Sequence, residues 1–119
     1  MAKAEHKELK KPDDAREFPK GKVELVNVGG GQVGRYSLEP GWRWSEHVKP
    51  TAKTEWCEAP HFQYHVSGVL HVKMADGTEF DAKAGDVTAL PSGHDAWVVG
   101  KEPVVVIDWT GASNYAKSK

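Results

Sequence analysis

Cysteine is all but missing from this sequence: Cys57 is the single one in 119 residues, so no intrachain disulfide framework holds the fold. Apolar runs never exceed a few residues, which excludes a helical membrane span and leaves no signal-peptide core. A cytoplasmic location is therefore the expectation. An excess of one charge is missing too. Sixteen Lys and Arg face seventeen Asp and Glu, giving a net charge of -1 and a pI near 6.6. Such a balance offers no electrostatic case for nucleic acid or a membrane surface as partner. Nowhere does a convincing helical period appear, and no internal repeat is present.

What the sequence does contain is punctuation. Twelve Gly and seven Pro cut the chain into short segments, and the segments between them are strand-like. Residues 1–21 are charged and poor in apolar side chains, so they read as a mobile arm that cannot nucleate a core. Lys22 to Val28 and Gln32 to Leu38 read as strands around a Gly29-Gly30-Gly31 loop. After Pro40-Gly41, alternation from Trp42 to Lys49 reads as another strand. It puts Trp42, Trp44, Glu46 and Val48 on one face, and Arg43, Ser45, His47 and Lys49 on the other.

His61 to Val66 alternates strictly. His61, Gln63 and His65 share one face, and Phe62, Tyr64 and Val66 the other. By alternation alone the apolar trio belongs inside. Ser67-Gly68 signals a bulge and Asp76-Gly77 a hairpin turn. Val87 to Leu90 is a short strand ended by Pro91-Ser92-Gly93, and His94 comes directly off that turn. Val104 to Trp109 reads as a buried strand, and 111–119 as a polar tail. Many short strands with regular turns indicate a single all-β antiparallel domain, a sandwich or barrel spanning about residues 22–110.

Two spacings carry a resemblance. Gly41, five residues and His47, followed later by His61, six residues and Gly68, match the two ends of the pattern G-x5-H-x-H-x(3-4)-E-x6-G. Gly85, five residues and Pro91-Ser92-Gly93 match most of G-x5-P-x-G-x2-H-x3-N. In this the chain resembles the cupin superfamily of small jelly-roll barrels, over roughly residues 22–109. The departures are as informative as the matches. Lys49 stands where the family has its second histidine, and His61 stands at the family's glutamate. Ala96 holds the motif-two histidine position, with His94 two residues early and therefore on the same strand face, and Gly100 replaces the asparagine. An alternative register places Glu55 and Cys57 at the two histidine positions of the first motif.

The resemblance implies one divalent transition metal per chain inside the barrel. The candidate ligands are His47, Cys57, His61 and His94. Glu55, Gln63, His65, Trp44 and Trp97 are candidates for the pocket and for supporting the ligands. Imidazoles with a thiolate or carboxylate suit Zn, Fe, Ni or Cu, and a thiolate leans the choice towards Zn or Fe. Placing His61 inward buries three polar groups on one strand, and such groups need partners that a metal, water or polar ligand supplies.

Function follows as alternatives. One is a metal-binding cupin that acts on or binds a small molecule, with the reaction unresolved because the fold hosts many chemistries. Another is a non-catalytic ligand-binding or sensing module, with or without metal. A third is a structural dimer that has lost the metal. The resemblance also implies a homodimer, formed through the N-terminal arm or the strand at 22–28.

Overall fold

A computed structural model describes residues 3–109, so the tail expected at 111–119 lies outside the described residues. Those residues form β1 (Asp14–Phe18), β2 (Gly21–Val28), β3 (Gly31–Leu38), α1 (Trp44–His47), α2 (Lys49–Ala52), β4 (His61–Ser67), β5 (Val69–Met74), β6 (Glu79–Lys83), β7 (Val87–Leu90), β8 (His94–Val99) and β9 (Val104–Asp108). One sheet has six strands in the order β1-β2-β3-β9-β4-β7, and the other has three in the order β6-β5-β8. Every pairing is antiparallel. The two sheets share one core, with Val23 and Tyr36 contributed by the larger sheet, Val72 and Val98 by the smaller. The all-β antiparallel architecture is the one the turns announce, and it is compatible with a jelly roll.

The strand β4 is built inside out. Its polar residues are buried, with His61 6%, Gln63 5% and His65 1% exposed, while Phe62 is 49%, Tyr64 41% and Val66 46% exposed. The cross-strand register fixes this orientation, pairing Gln63 with both Thr88 and Asp108, and Tyr64 with Val87 and Ile107. Alternation read without the cupin resemblance would have placed the opposite face inside.

Two expectations need correcting. Within the supposed arm, Asp14–Phe18 is a strand paired along its whole length with β2. Its sequence shows no apolar alternation, and backbone pairing with β2 holds it together with the packing of Phe18 on the core. Half-buried Phe18 is tied down against Trp42, ring centroids 6.3 Å apart. It follows that β2 is not a sheet edge. The second correction concerns Trp42–Lys49, which is not a strand. Arg43 makes one bridge to Trp97, and then two single-turn helices follow, with Pro50 in the first turn of α2, where its missing N–H costs nothing. Trp42, Trp44 and Val48 are buried as expected, but Glu46 is exposed.

Candidate metal centre

Cys57, His61 and His94 converge beneath the larger sheet. Each offers a ligand atom, and the three atoms lie within 4.8 Å of one another, all from buried residues. Separate pieces of local structure bring them there. The backbone at Cys57 bridges that at His94, with Cys57 N–H donating to the His94 carbonyl (2.8 Å) and Gly93 N–H to the Cys57 carbonyl (2.8 Å). Residues directly opposite in an antiparallel pair project to the same side. The turn at Pro91-Ser92-Gly93, with Gly93 at φ +94°, delivers His94 into β8. His61 opens β4 on its inner face, and its ring centroid is 5.2 Å from that of His94.

Hydrogen bonding sets the tautomers. His61 Nδ1 lies 2.6 Å from Asp108 Oδ2. A carboxylate only accepts, so Nδ1 carries the proton and Nε2 is left towards Cys57, with Sγ 3.9 Å away. His94 Nδ1 is 3.0 Å from the Pro91 carbonyl, which again requires the proton on Nδ1 and leaves Nε2 as the lone pair. Ligating histidines are ordinarily oriented in this way by a partner on the other nitrogen. Two ligands of one tetrahedral zinc, a sulfur at about 2.3 Å and a nitrogen at about 2.0 Å, stand roughly 3.6 Å apart. The observed 3.9 Å is close to that separation.

Electrostatics match the geometry. Burial, followed by the neighbouring His61, holds His94 well below its usual range, at about 4, so it is neutral. Burial also pushes the Cys57 thiol up to about 12, and the Asp108 carboxylate adds to this. A cation that binds Cys57 as thiolate therefore displaces a proton. Asp108 is wholly buried, and it also accepts from Phe62 N–H (3.2 Å) and Gln63 Nε2 (3.4 Å).

Beside the three ligands is a small cavity lined by Tyr36, Leu38, Trp42, Trp44, Gln63, Leu70, Leu90, Ala96 and Val106. Its volume is about 30 Å³, room for a water or two or for an ion with a few ligand atoms. Trp42 Nε1, Trp44 Nε1 and Gln63 Oε1 are buried without a hydrogen-bond partner among the described residues.

The remaining expected site residues are elsewhere. His47 is half-buried on α1, where its Nδ1 accepts the Arg43 N–H (3.0 Å), and it is not in the cluster. A helix replaces the strand that would have aimed it. Glu55 is exposed and faces Lys49 at 3.6 Å. His65 is buried but bonds Thr88 Oγ1 (2.9 Å), and burial lowers its pKa. Trp97 occupies an outward position of β8, stacked on His71 (4.6 Å) with the Arg43 guanidinium 4.0 Å over its ring. Gln63 and Trp44 do line the cavity. Asp108 was not anticipated. Its signal was phase, since Val104 and Val106 are the buried positions of β9 and Asp108 continues their period of two.

No protein-family model matches the sequence, and no curated protein matches it. Solved structures do. The oxalate decarboxylase of Lactobacillus farciminis, in a formate complex, superposes with a TM-score of 0.61 at 21% identity over 86% of this chain, which spans 32% of that one. KdgF from Halomonas sp. gives a TM-score of 0.58 at 16% identity, covering 82% of this chain and 86% of its own. A third, from Thermotoga maritima, is described as cupin-like and gives 0.55 at 21% identity, covering 76% and 68%.

Proposed function

We propose that this chain, whose fold is cupin-like, holds one divalent transition metal through Cys57, His61 and His94 and receives a small molecule beside it. The observation that carries the reading is the pair of imidazoles whose Nδ1–H groups are both engaged, with His61 Nε2 3.9 Å from the buried Cys57 thiol and one ligand atom from each of Cys57, His61 and His94 within 4.8 Å of the others. One soft and two borderline donors favour Zn or Fe over Mg or Ca. Cys57, His61 and His94 would hold the ion, which would supply Lewis-acid chemistry at the adjoining cavity.

The chain's own groups shape what sits at that position. Trp42 and Trp44 offer indole N–H donors to an acceptor oxygen, and Gln63 Oε1 offers an acceptor to a hydroxyl or water. Leu38, Leu70 and Val106 exclude bulk solvent. The ligand is accordingly compact and oxygen-bearing. Asp108 fixes His61 and strengthens it as a donor.

Elemental analysis of protein purified without chelator or His tag tests the reading. About one transition metal per chain is expected in the wild type and His71→Ala, with loss in Cys57→Ser, His61→Ala and His94→Ala. A metal-free wild type that also takes up none on reconstitution would refute it and leave a metal-free binding module. Cobalt substitution adds a spectroscopic check, because a thiolate ligand gives a near-ultraviolet charge-transfer band that Cys57→Ser abolishes.

A further inference from the structure

The cavity beside Cys57, His61 and His94 holds hydrogen-bonding groups that nothing in the fold answers. Trp42 and Trp44, each 2% exposed, have no partner for their indole Nε1–H among the described residues. Gln63, 5% exposed, has none for Oε1. All three residues line the same cavity. Native structures seldom leave buried polar atoms in this state unless something outside the chain meets them.

The three groups are held in place. An ionised carboxylate only accepts, so the 3.4 Å contact turns the Nε2 end of Gln63 towards Asp108 and leaves Oε1 as the end without a partner. The two indoles are anchored through Arg43, which lies between them in the chain. Its backbone bridges that of Trp97, its guanidinium sits 4.0 Å over the Trp97 ring, and Asp95 is 3.7 Å away. Trp42 is fixed further by its carbonyl, which accepts the Val98 N–H (3.0 Å).

This inventory selects a ligand. Two N–H donors call for two bare oxygens, and the Gln63 oxygen calls for one hydroxyl. An amine would leave both indoles unmatched. No Asp, Glu, Lys or Arg lines the cavity, so only the cation proposed above counters a negative charge there. A volume of about 30 Å³ admits few atoms. We infer that the site takes a small oxyanion carrying one hydroxyl, with bicarbonate the size-matched case: Trp42 and Trp44 donate to its bare oxygens, and its hydroxyl donates to Gln63 Oε1. The inference rests on the metal-centre reading, because a buried anion with no cation beside it is costly.

Nitrate is the discriminating probe, since it has the planar shape and charge of bicarbonate and no hydroxyl. Isotopically labelled protein is loaded with zinc, and uptake is measured by elemental analysis. Each anion is then titrated in mildly alkaline buffer while the tryptophan indole N–H signals are followed by nuclear magnetic resonance. Trp42→Phe and Trp44→Phe assign two of them. Bicarbonate should move the Trp42 and Trp44 signals and leave those of Trp97 and Trp109, and it should bind at least about tenfold tighter than nitrate. Gln63→Met should shrink that preference about tenfold, whereas Trp44→Phe should weaken both anions alike. Near-ultraviolet circular dichroism establishes that each variant is folded. A zinc-loaded wild type whose Trp42 and Trp44 signals ignore bicarbonate overturns the inference and leaves the metal centre standing. So does a wild type that holds nitrate as tightly as bicarbonate, whatever the variants do, or a folded Gln63→Met that keeps the full preference. A chain that takes up no zinc overturns both readings.

Discussion

Asp108 shows how much a single residue decides. It does not itself line the cavity, yet three donors converge on it, and one of them is the ring of a candidate ligand, which it orients. Asp108→Asn removes the charge and keeps the size. Metal affinity should then fall about 10–100-fold, read by competition against a chelating dye, without the complete loss expected of His61→Ala. A second prediction concerns His71. Its ring nitrogens face Glu79 Oε1 (2.8 Å) and Asp81 Oδ1 (2.7 Å), so both bonds are made only by the imidazolium, and the Glu79 bond foremost raises the pKa. A raised folded-state pKa stabilises the fold fully below the unfolded value of about 6.5, and the gain is lost as pH rises through the folded value. The stability gap between wild type and His71→Gln, from urea titrations, should therefore be widest in mild acid and close in alkali. It should stay within about 1 kcal/mol, since all three groups are partly solvated.

At the scale of elements, strands were legible wherever period and burial agreed. The segments around β2, β3, β5, β7 and β9 were readable from alternation or apolar content bounded by Gly and Pro. β1 was not, because its sequence shows no apolar alternation. The α1–α2 turn was misread for a definite reason. Trp44 and Val48 share a face in a strand and also in a helix, since a separation of four satisfies both. Only Glu46 discriminates: a strand would have turned it inward with the tryptophans, and the helix turns it out. His47 was lost as a ligand with that choice, whereas His94 survived, because a strand face does run through positions 94, 96 and 98. The Ser67-Gly68 bulge was readable and is tightly made. Gly68 has φ +75°, and a Cβ there would come within 2.5 Å of the Pro103 carbonyl oxygen. Gly68→Ala should cost about 1–3 kcal/mol by thermal or chemical denaturation, whereas Gly77→Ala, also at positive φ but with open space around it, should cost less.

For the whole molecule, the site ties distant parts of the chain together. Cys57 precedes β4, His61 opens it, His94 opens β8 and Asp108 closes β9. A cation that binds only this assembled arrangement stabilises it by linkage, about 2.7 kcal/mol at 100 times the dissociation constant. In a chain of this size that is roughly 10 °C in Tm. Calorimetry with and without a strong chelator should show a shift of that order in the wild type and none in Cys57→Ser.

The inverted pattern of β4 has a consequence for how the chain finds its fold. A slip of one residue along its neighbours would exchange the faces, carrying Phe62, Tyr64 and Val66 into the core and His61, Gln63 and His65 out to water. For an isolated chain without a cation, the hydrophobic effect favours that slipped strand. The native register is held instead by Asp108, which takes both the Phe62 amide and the His61 ring, and by the tight Gly68 bulge. A cation held by Cys57, His61 and His94, as proposed above, would reward the same register from within. The strand is thus a frustrated element whose competing state is one residue away.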